Sequence, residues 1–450
     1  MADKKERLIE AFNRHDSILV ISSYPERGIK YSGKVCAVGG FAKNTINALN
    51  FYFSKNGKER KFAVLTIVVG KEEIYEEDGI LVWRVFKRNR PFSYFALWQA
   101  ICQFNQIKDV LVEFEFASFG DTKTTILFPL ILFGLRLTRK NITLVLHQVV
   151  SNLKDLTGHL GWKNKGIKIK LFNFGLKAFF WMLVFPSQKV IVLEEILKER
   201  LIRIVGMRQK IVFIPHGVDQ SLPIISKEEA RLKLGLKKHE PILLYFGYLT
   251  WYKGVDFLVK TFTKNEIKVK DRRIRLIIAG GESATQKTKP HYQKFVKKVY
   301  ALVKKSKMIR ITGFVEEKEL PLYFAAADLI VLPYRIFMSS SGPLSLCLGF
   351  SKPFIMSYAL KGYFSSPDFA ASFSKTGLKK DDLLFAFQNQ KLATKIKPAF
   401  KNKTRLANFS ADLAKKRDFS ILATSYVKAI ESVRPKVGLV SIRQALSGNV

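Results

Sequence analysis

The chain has 450 residues, more than one hydrophobic core can organise, and 48% of them are hydrophobic, so disorder throughout is excluded and two domains of roughly 200 residues are expected. Lys and Arg number 76 against 37 Asp and Glu, a formal charge of +39, which attracts polyanions such as nucleic acid, an anionic membrane or phosphorylated substrates without choosing among them. Three distant cysteines, Cys36, Cys102 and Cys347, offer neither a disulfide framework nor a metal-ligand spacing, and the 6 histidines form no paired metal motif.

The first sixteen residues are charged and lack the apolar region of a secretory signal, so a cytoplasmic location is expected. The longest apolar stretches, 125–135 and 171–185, fall short of the ~20 residues that a spanning helix needs, and Lys177 interrupts the second.

In chain order, short apolar runs at 18–21, 62–69, 80–86, 110–115, 142–146, 190–193 and 211–214 read as strands separated by helical patterns. A second series follows at 242–246, 274–279, 309–312, 329–332 and 353–356. Continuous apolar strands between helices predict α/β architecture, with doubly wound parallel sheets covered on both faces. Between the series lies the turn Pro215-His216-Gly217-Val218-Asp219, a short helix at 227–234 and a basic linker. The expected units are therefore a Rossmann-like domain at 17–218, a second at 219–405, and terminal helices within 406–434, with 434–450 loosely ordered.

Ligands in such sheets sit beyond the carboxyl ends of strands. After the strand at 242–246 come Gly247 and then Lys253-Gly254 at a helix start, a cationic turn with free backbone N–H groups that suits a diphosphate. The strand at 274–279 leads into Gly280-Gly281, and that at 309–312 into Gly313-Phe314-Val315, where a glycine lets the backbone approach a flat base. The strand at 329–332 is followed by Pro333-Tyr334-Arg335, and then Ser339-Ser340-Ser341-Gly342 opens a helix that includes Leu344.

This ordered series, with Gly349-Phe350-Ser351-Lys352-Pro353 after it and Ile214-Pro215-His216-Gly217 before it, resembles the C-terminal domain of GT-B glycosyltransferases of the family-4 type. The resemblance is close over residues 210–356 and looser over 18–194. It implies two Rossmann-like domains facing a cleft, with the C-terminal helices of 406–434, the last of them at 419–433, returning to the first domain. In that first domain it implies a glycine-rich loop facing the donor phosphates, met by Gly39-Gly40, and a cleft histidine, met by His147. Glu113 and Glu115 leave the strand at 110–115 toward the same cleft. The absence of GxGxxG argues against a dinucleotide enzyme.

Two departures stand out. The family's paired glutamates, with seven residues between them, fall here on Met338 and Leu346, and no Asp or Glu occurs between Asp328 and Asp368. The arginine of the phosphate loop is replaced by Tyr248. Arg335 is expected to supply the second positive charge, and Ser339, Ser340 and Ser341 to meet a sugar hydroxyl.

The resemblance implies transfer of a hexose from a nucleotide diphosphate sugar to a cell-envelope acceptor, with retention and with neither cofactor nor metal. His147, Lys253 and Arg335 are the expected catalytic residues. Gly39, Gly40, Gly247, Gly254, Gly281, Gly313, Phe314, Val315, Ser340, Ser341, Gly342 and Leu344 are the expected donor site. The alternative is a GT-B-shaped binding or scaffold protein without activity.

The segment 163–185 sets Lys163, Lys165, Lys168 and Lys170 before an aromatic-rich body that includes Phe179, Phe180 and Trp181, as in an interfacial helix on an anionic membrane. Such contact would make the protein peripheral on the inner face of the plasma membrane. No nucleic-acid-binding motif accompanies the charge.

Overall fold

The computed structural model describes residues 2–162 and 166–433. Lys163, Lys165 and the terminal stretch 434–450 lie outside them, as does the side chain of Lys168.

The first sheet contains β1 (Ile18–Ile21), β2 (Phe62–Ile67), β3 (Glu73–Glu77), β4 (Ile80–Phe86), β5 (Asp109–Phe114), β6 (Asn141–Leu146), β7 (Lys189–Val192) and β8 (Ile211–Phe213). Their order is β3-β4-β2-β1-β5-β6-β7-β8, parallel except for the antiparallel pair β3–β4. After β9 (Ile242–Phe246) comes a two-stranded hairpin, β10 (Lys268–Val269) with β11 (Arg272–Arg273). The second sheet is completed by β12 (Arg275–Ala279), β13 (Ile309–Ile311), β14 (Leu329–Leu332), β15 (Phe354–Ser357) and β16 (Leu384–Phe385). Its order is β13-β12-β9-β14-β15-β16, parallel throughout.

All-parallel pairing needs apolar side chains on both faces of each strand, and β1, β2, β4, β5 and β14 are buried at every position. Two apolar clusters cover the two faces of the first sheet, and a third fills the second domain. Each sheet reverses its winding once, between β1 and β5 and between β9 and β14. At such a switch point the outgoing loops diverge and leave a crevice.

Of the helices expected to return over 406–434, Lys403–Lys416 stays in the second-domain core through Leu406, Phe409 and Leu413, and the chain crosses back only at residues 417–419. Helix Phe419–Glu431 lays Leu422, Tyr426, Val427 and Ile430 against Ile46, Leu49 and Phe53 of helix Val38–Lys55 in the first domain. The crossing is tight: a Cβ on Gly217 would stand 2.3 Å from the Phe419 ring, and the Val218 N–H donates to the Arg417 carbonyl at 2.7 Å.

Here lies a buried ion cluster. Arg417, 1% exposed, donates from Nη1 and Nη2 to Glu194 beyond β7 at 2.8 and 3.2 Å, and from Nε to Asp368 in the second domain at 2.5 Å. Ser340 and Ser366 donate to the remaining positions on Glu194 at 2.7 and 3.1 Å. One guanidinium thus joins the first sheet, the second domain and the returning chain.

The interfacial face of helix Gly166–Val184 differs from the sequence expectation. Phe179 and Phe180 are buried in the first-domain core, whereas Trp181 is exposed, in a stripe with Ile167, Leu171, Phe174 and Phe185. Aromatic density marks this segment as apolar, but the heptad spacing of 167, 171, 174, 181 and 185 decides which side faces out. Among the described residues, no helix is long and apolar enough to cross a membrane.

Removing a buried charge from a paired cluster strands its partners. Arg417→Ala is expected to cost about 3–5 kcal/mol, read as a lower urea midpoint. Adding Glu194→Gln and Asp368→Asn should recover part of that loss, because no uncompensated carboxylate then remains.

Candidate active site

The loops beyond β9, β12, β13 and β14 form one wall. Gly247 leaves β9 at φ +126° and Gly254 ends the turn at φ +74°, both conformations that favour glycine. Space demands glycine as well. A Cβ on Gly254 would lie 1.8 Å from the Pro333 carbonyl oxygen, and one on Gly280 2.0 Å from that of Gly247. A Cβ on Gly281 would lie 2.7 Å from the Phe314 nitrogen. Hydrogen bonds from the Gly247 N–H to Ala279 and from the Leu249 N–H to Gly281, at 3.0 and 2.9 Å, tie the loop ends together. Gly313 has φ +81°, Val315 packs into the core, and Phe314 stays 41% exposed with its ring stacked 6.2 Å from Tyr248.

Lys253 closes the short 3-10 turn Trp251–Lys253, ahead of helix Val255–Lys264. Its side chain is buried, with Nζ 2.9 Å from where a Gly247 Cβ would be, and the rings of Tyr252 and Tyr334 stand 5.9 and 6.0 Å away. Among the described residues, no carboxylate pairs with it. Burial lowers its pKa to about 8. A desolvated ammonium without an anion, beside a helix N-terminus, is an anion site.

Arg335 does not provide the expected second free charge. Its guanidinium forms a bidentate pair with Asp256 at 2.7 and 2.8 Å, and it sits 4.9 Å from both the Trp251 and Phe387 rings. The Arg335 N–H also donates to the Tyr252 carbonyl at 2.7 Å. Arg335 therefore braces the turn that carries Lys253.

Ser340 and Ser341 are likewise engaged. The Ser340 hydroxyl donates to Glu194, while the Ser341 hydroxyl pairs with Tyr334 Oη at 2.8 Å and accepts from the Leu344 N–H at 3.2 Å. Ser341 is thus the N-cap of helix Gly342–Gly349, with Gly342 opening it, unobstructed where a Cβ would be, and the Leu344 side chain in the core. At the places of the missing glutamates, Met338 joins an apolar cluster with Val150 and Leu156, and Leu346 lies in the second-domain core.

The facing wall comes from the first domain. The long loop after β1 is fixed by Arg84, fully buried, which donates to the Tyr24 carbonyl at 3.2 Å and the Pro25 carbonyl at 2.5 Å. Glu77, on β3, accepts from the Gly28 N–H at 2.6 Å and from Lys43 at 3.1 Å. Gly39 and Gly40 begin the following helix where this loop folds onto it; a Cβ on Gly40 would stand 2.7 Å from the Lys30 carbonyl oxygen. The loop then meets the second domain. The Lys30 and Tyr31 N–H groups donate to Glu317 at 2.7 and 3.0 Å, Lys30 Nζ pairs with Asp219 at 3.0 Å, and Gly33 lies against the Phe314 ring.

His147 follows β6 and is held by Glu113 through Nε2 at 2.7 Å and by the edge-on ring of Phe41 at 4.8 Å. Gln148 forms a backbone bridge to Ser339, and the Val149 N–H donates to the Met338 carbonyl at 3.1 Å. Gln148 Nε2 donates at 2.8 Å to Glu115, whose other oxygen accepts from the Ala117 N–H at 3.0 Å. Sequence reasoning missed the contacts of Glu317, Gln148 and Arg84, which join segments remote in the chain and leave no spacing signal.

Residues 226–346 match the family described as glycosyl transferases group 1. The chain is 27% identical over 127 residues to a D-inositol 3-phosphate glycosyltransferase of Corynebacterium aurimucosum, covering 27% of this chain and 29% of that one. It is 32% identical over 111 residues to a GDP-mannose:glycolipid 4-beta-D-mannosyltransferase of Xanthomonas campestris pv. campestris, covering 25% and 28%. These matches span under a third of either relative. The solved structure of Anabaena HepE in complex with UDP and glucose superposes with a TM-score of 0.61 at 13% identity, covering 93% of this chain and 100% of that one. The chain has the GT-B fold of that solved structure, and residues 226–346 of its second domain match the group 1 glycosyl transferases.

Proposed function

We propose that the protein transfers a hexose from a nucleotide diphosphate sugar to a cell-envelope acceptor, with retention at the anomeric carbon. The observation that carries this reading is the buried Lys253 ammonium, which pairs with no carboxylate among the described residues, inside the segment that matches the family. Cleavage of the sugar–phosphate bond leaves its electron pair on the diphosphate and positive character on the sugar. Lys253 and the N-terminus of helix Val255–Lys264 stabilise the first charge in a site sheltered from water. Arg335 and Asp256 hold the turn in place, and His147 lines the sugar side from the opposite wall. The UDP and glucose in the HepE complex, and GDP-mannose in the name of the Xanthomonas relative, support a sugar-nucleotide donor and leave its base open.

The alternative, a GT-B-shaped scaffold without activity, draws on Met338 and Leu346, buried apolar residues at the positions where the family carries its two carboxylates. A panel of UDP and GDP sugars separates the two readings. The wild type is expected to hydrolyse or transfer at least one donor, and Lys253→Ala to lower turnover about 10²–10³-fold. Absence of both binding and turnover with every donor favours the scaffold.

We also propose contact with an anionic membrane through helix Gly166–Val184. Its exposed stripe continues through Phe133, 6.2 Å from Phe185, toward exposed Leu130 on helix Phe128–Leu137. Lys170 and Lys177 flank the stripe, and each lysine near such a surface contributes about 1 kcal/mol. A glycolipid acceptor, as in the name of the Xanthomonas relative, would be reached from such a surface. Wild-type protein is expected to float with phosphatidylglycerol vesicles, and a variant with Leu171, Phe174 and Trp181 changed to serine to stay behind. Equal flotation of both would remove the helix from the proposal.

A further inference from the structure

We propose that Glu115 is the carboxylate that binds hydroxyls of the transferred sugar, replacing from the first domain what the second-domain wall no longer offers; this rests on the nucleotide-sugar reading of the cleft. A hexose presents hydroxyl donors that need placed acceptors. The stretch 338–346 has no carboxylate to give. Met338 and Leu346 are buried apolar side chains, the Ser340 hydroxyl is spent on Glu194, and the Ser341 hydroxyl on Tyr334 and the Leu344 N–H.

Across the cleft, Glu115 is the first residue beyond β5, at the switch point of the first sheet. Its two oxygens accept from Gln148 Nε2 at 2.8 Å and the Ala117 N–H at 3.0 Å. Each keeps a lone pair, and among the described residues no Lys or Arg forms an ion pair with it. Gln148 is also the residue bridged to Ser339, and the next residue, Val149, binds the Met338 carbonyl. The Glu115 carboxylate is therefore one side chain away from the backbone that has lost its own.

Its charge also reaches both loops that would hold the donor. Burial and then Glu115 raise the pKa of Tyr252, the neighbour of Lys253, and of Cys36 on the first-domain loop. Burial raises the pKa of Glu115 itself, with His147 the main opposing influence. A desolvated carboxylate held by neutral donors is suited to gripping neutral hydroxyls, because it gains hydrogen bonds that water does not supply there.

Glu115→Gln keeps an oxygen for the Ala117 cap while removing the charge. Titration calorimetry with UDP, GDP, UDP-glucose and GDP-mannose gives, for each protein, the affinity of the sugar nucleotide relative to its bare nucleotide. Bare nucleotides are expected to bind wild type and E115Q within about twofold, and the sugar nucleotide that the wild type prefers to bind E115Q at least about tenfold more weakly. Gln148→Ala should show the same selective loss in smaller measure, and it decides the matter if E115Q does not fold. An unchanged ratio overturns the proposal, as does an equal loss for bare and sugar nucleotides, which would make Glu115 a structural support. A wild type that binds none of the four probes overturns the nucleotide-sugar reading itself and this proposal with it.

Discussion

A buried positive charge without an anion beside it is costly, and the second domain is built to hold one. Lys253 is taken out of water between Gly247 and two tyrosine rings, and the cost appears as a pKa lowered to about 8. Keeping it there constrains the surroundings. Gly254 must be left-handed and bare so that the turn can pass under the Pro333 carbonyl, Asp256 must absorb the charge of Arg335, and the Arg335 backbone must hold the Tyr252 carbonyl. Local strain and an unpaired charge persist only where the surrounding structure over-determines them. Here three strand ends, β9, β12 and β14, converge to do so.

The facing wall is held at the correct distance by contacts away from the sugar site. Arg417 locks Glu194 and Asp368 on one side, and the loop after β1 reaches Glu317 and Asp219 on the other. Between them, the Gln148–Ser339 and Val149–Met338 links join the end of β6 to the loop after β14. The cleft is thus a product of both domains. A carboxylate lost from one wall is replaceable from the other because the walls are in register.

Much of this was legible in the sequence. Twelve strands announce themselves as apolar runs, since parallel sheets require both faces to be largely apolar, and Gly247, Lys253-Gly254 and Gly313 lie in the loops that leave strand ends. The edge strand β3 was not legible: Glu73-Ile74-Tyr75-Glu76-Glu77 is short and charged, a protected edge rather than a core strand. The state of Arg335 and of the serines was also hidden. A sequence shows that a cation or hydroxyl is present but not whether Asp256, Glu194 or Tyr334 has already taken it. Likewise the hydrophobic content of helix Gly166–Val184 was visible, while its outward face depended on how Phe179 and Phe180 meet the core.

The central claim is that Lys253 is a charge held in reserve for a diphosphate. It is tested most directly by the affinity of the wild type and Lys253→Ala for UDP and GDP between pH 7 and pH 9.5. Because burial lowers the lysine pKa, the ammonium is present below about 8 and lost above it, so wild-type affinity should fall as pH rises through that value while the variant binds weakly at every pH. Tight wild-type binding that ignores pH, or the same slope in both proteins, would contradict the account.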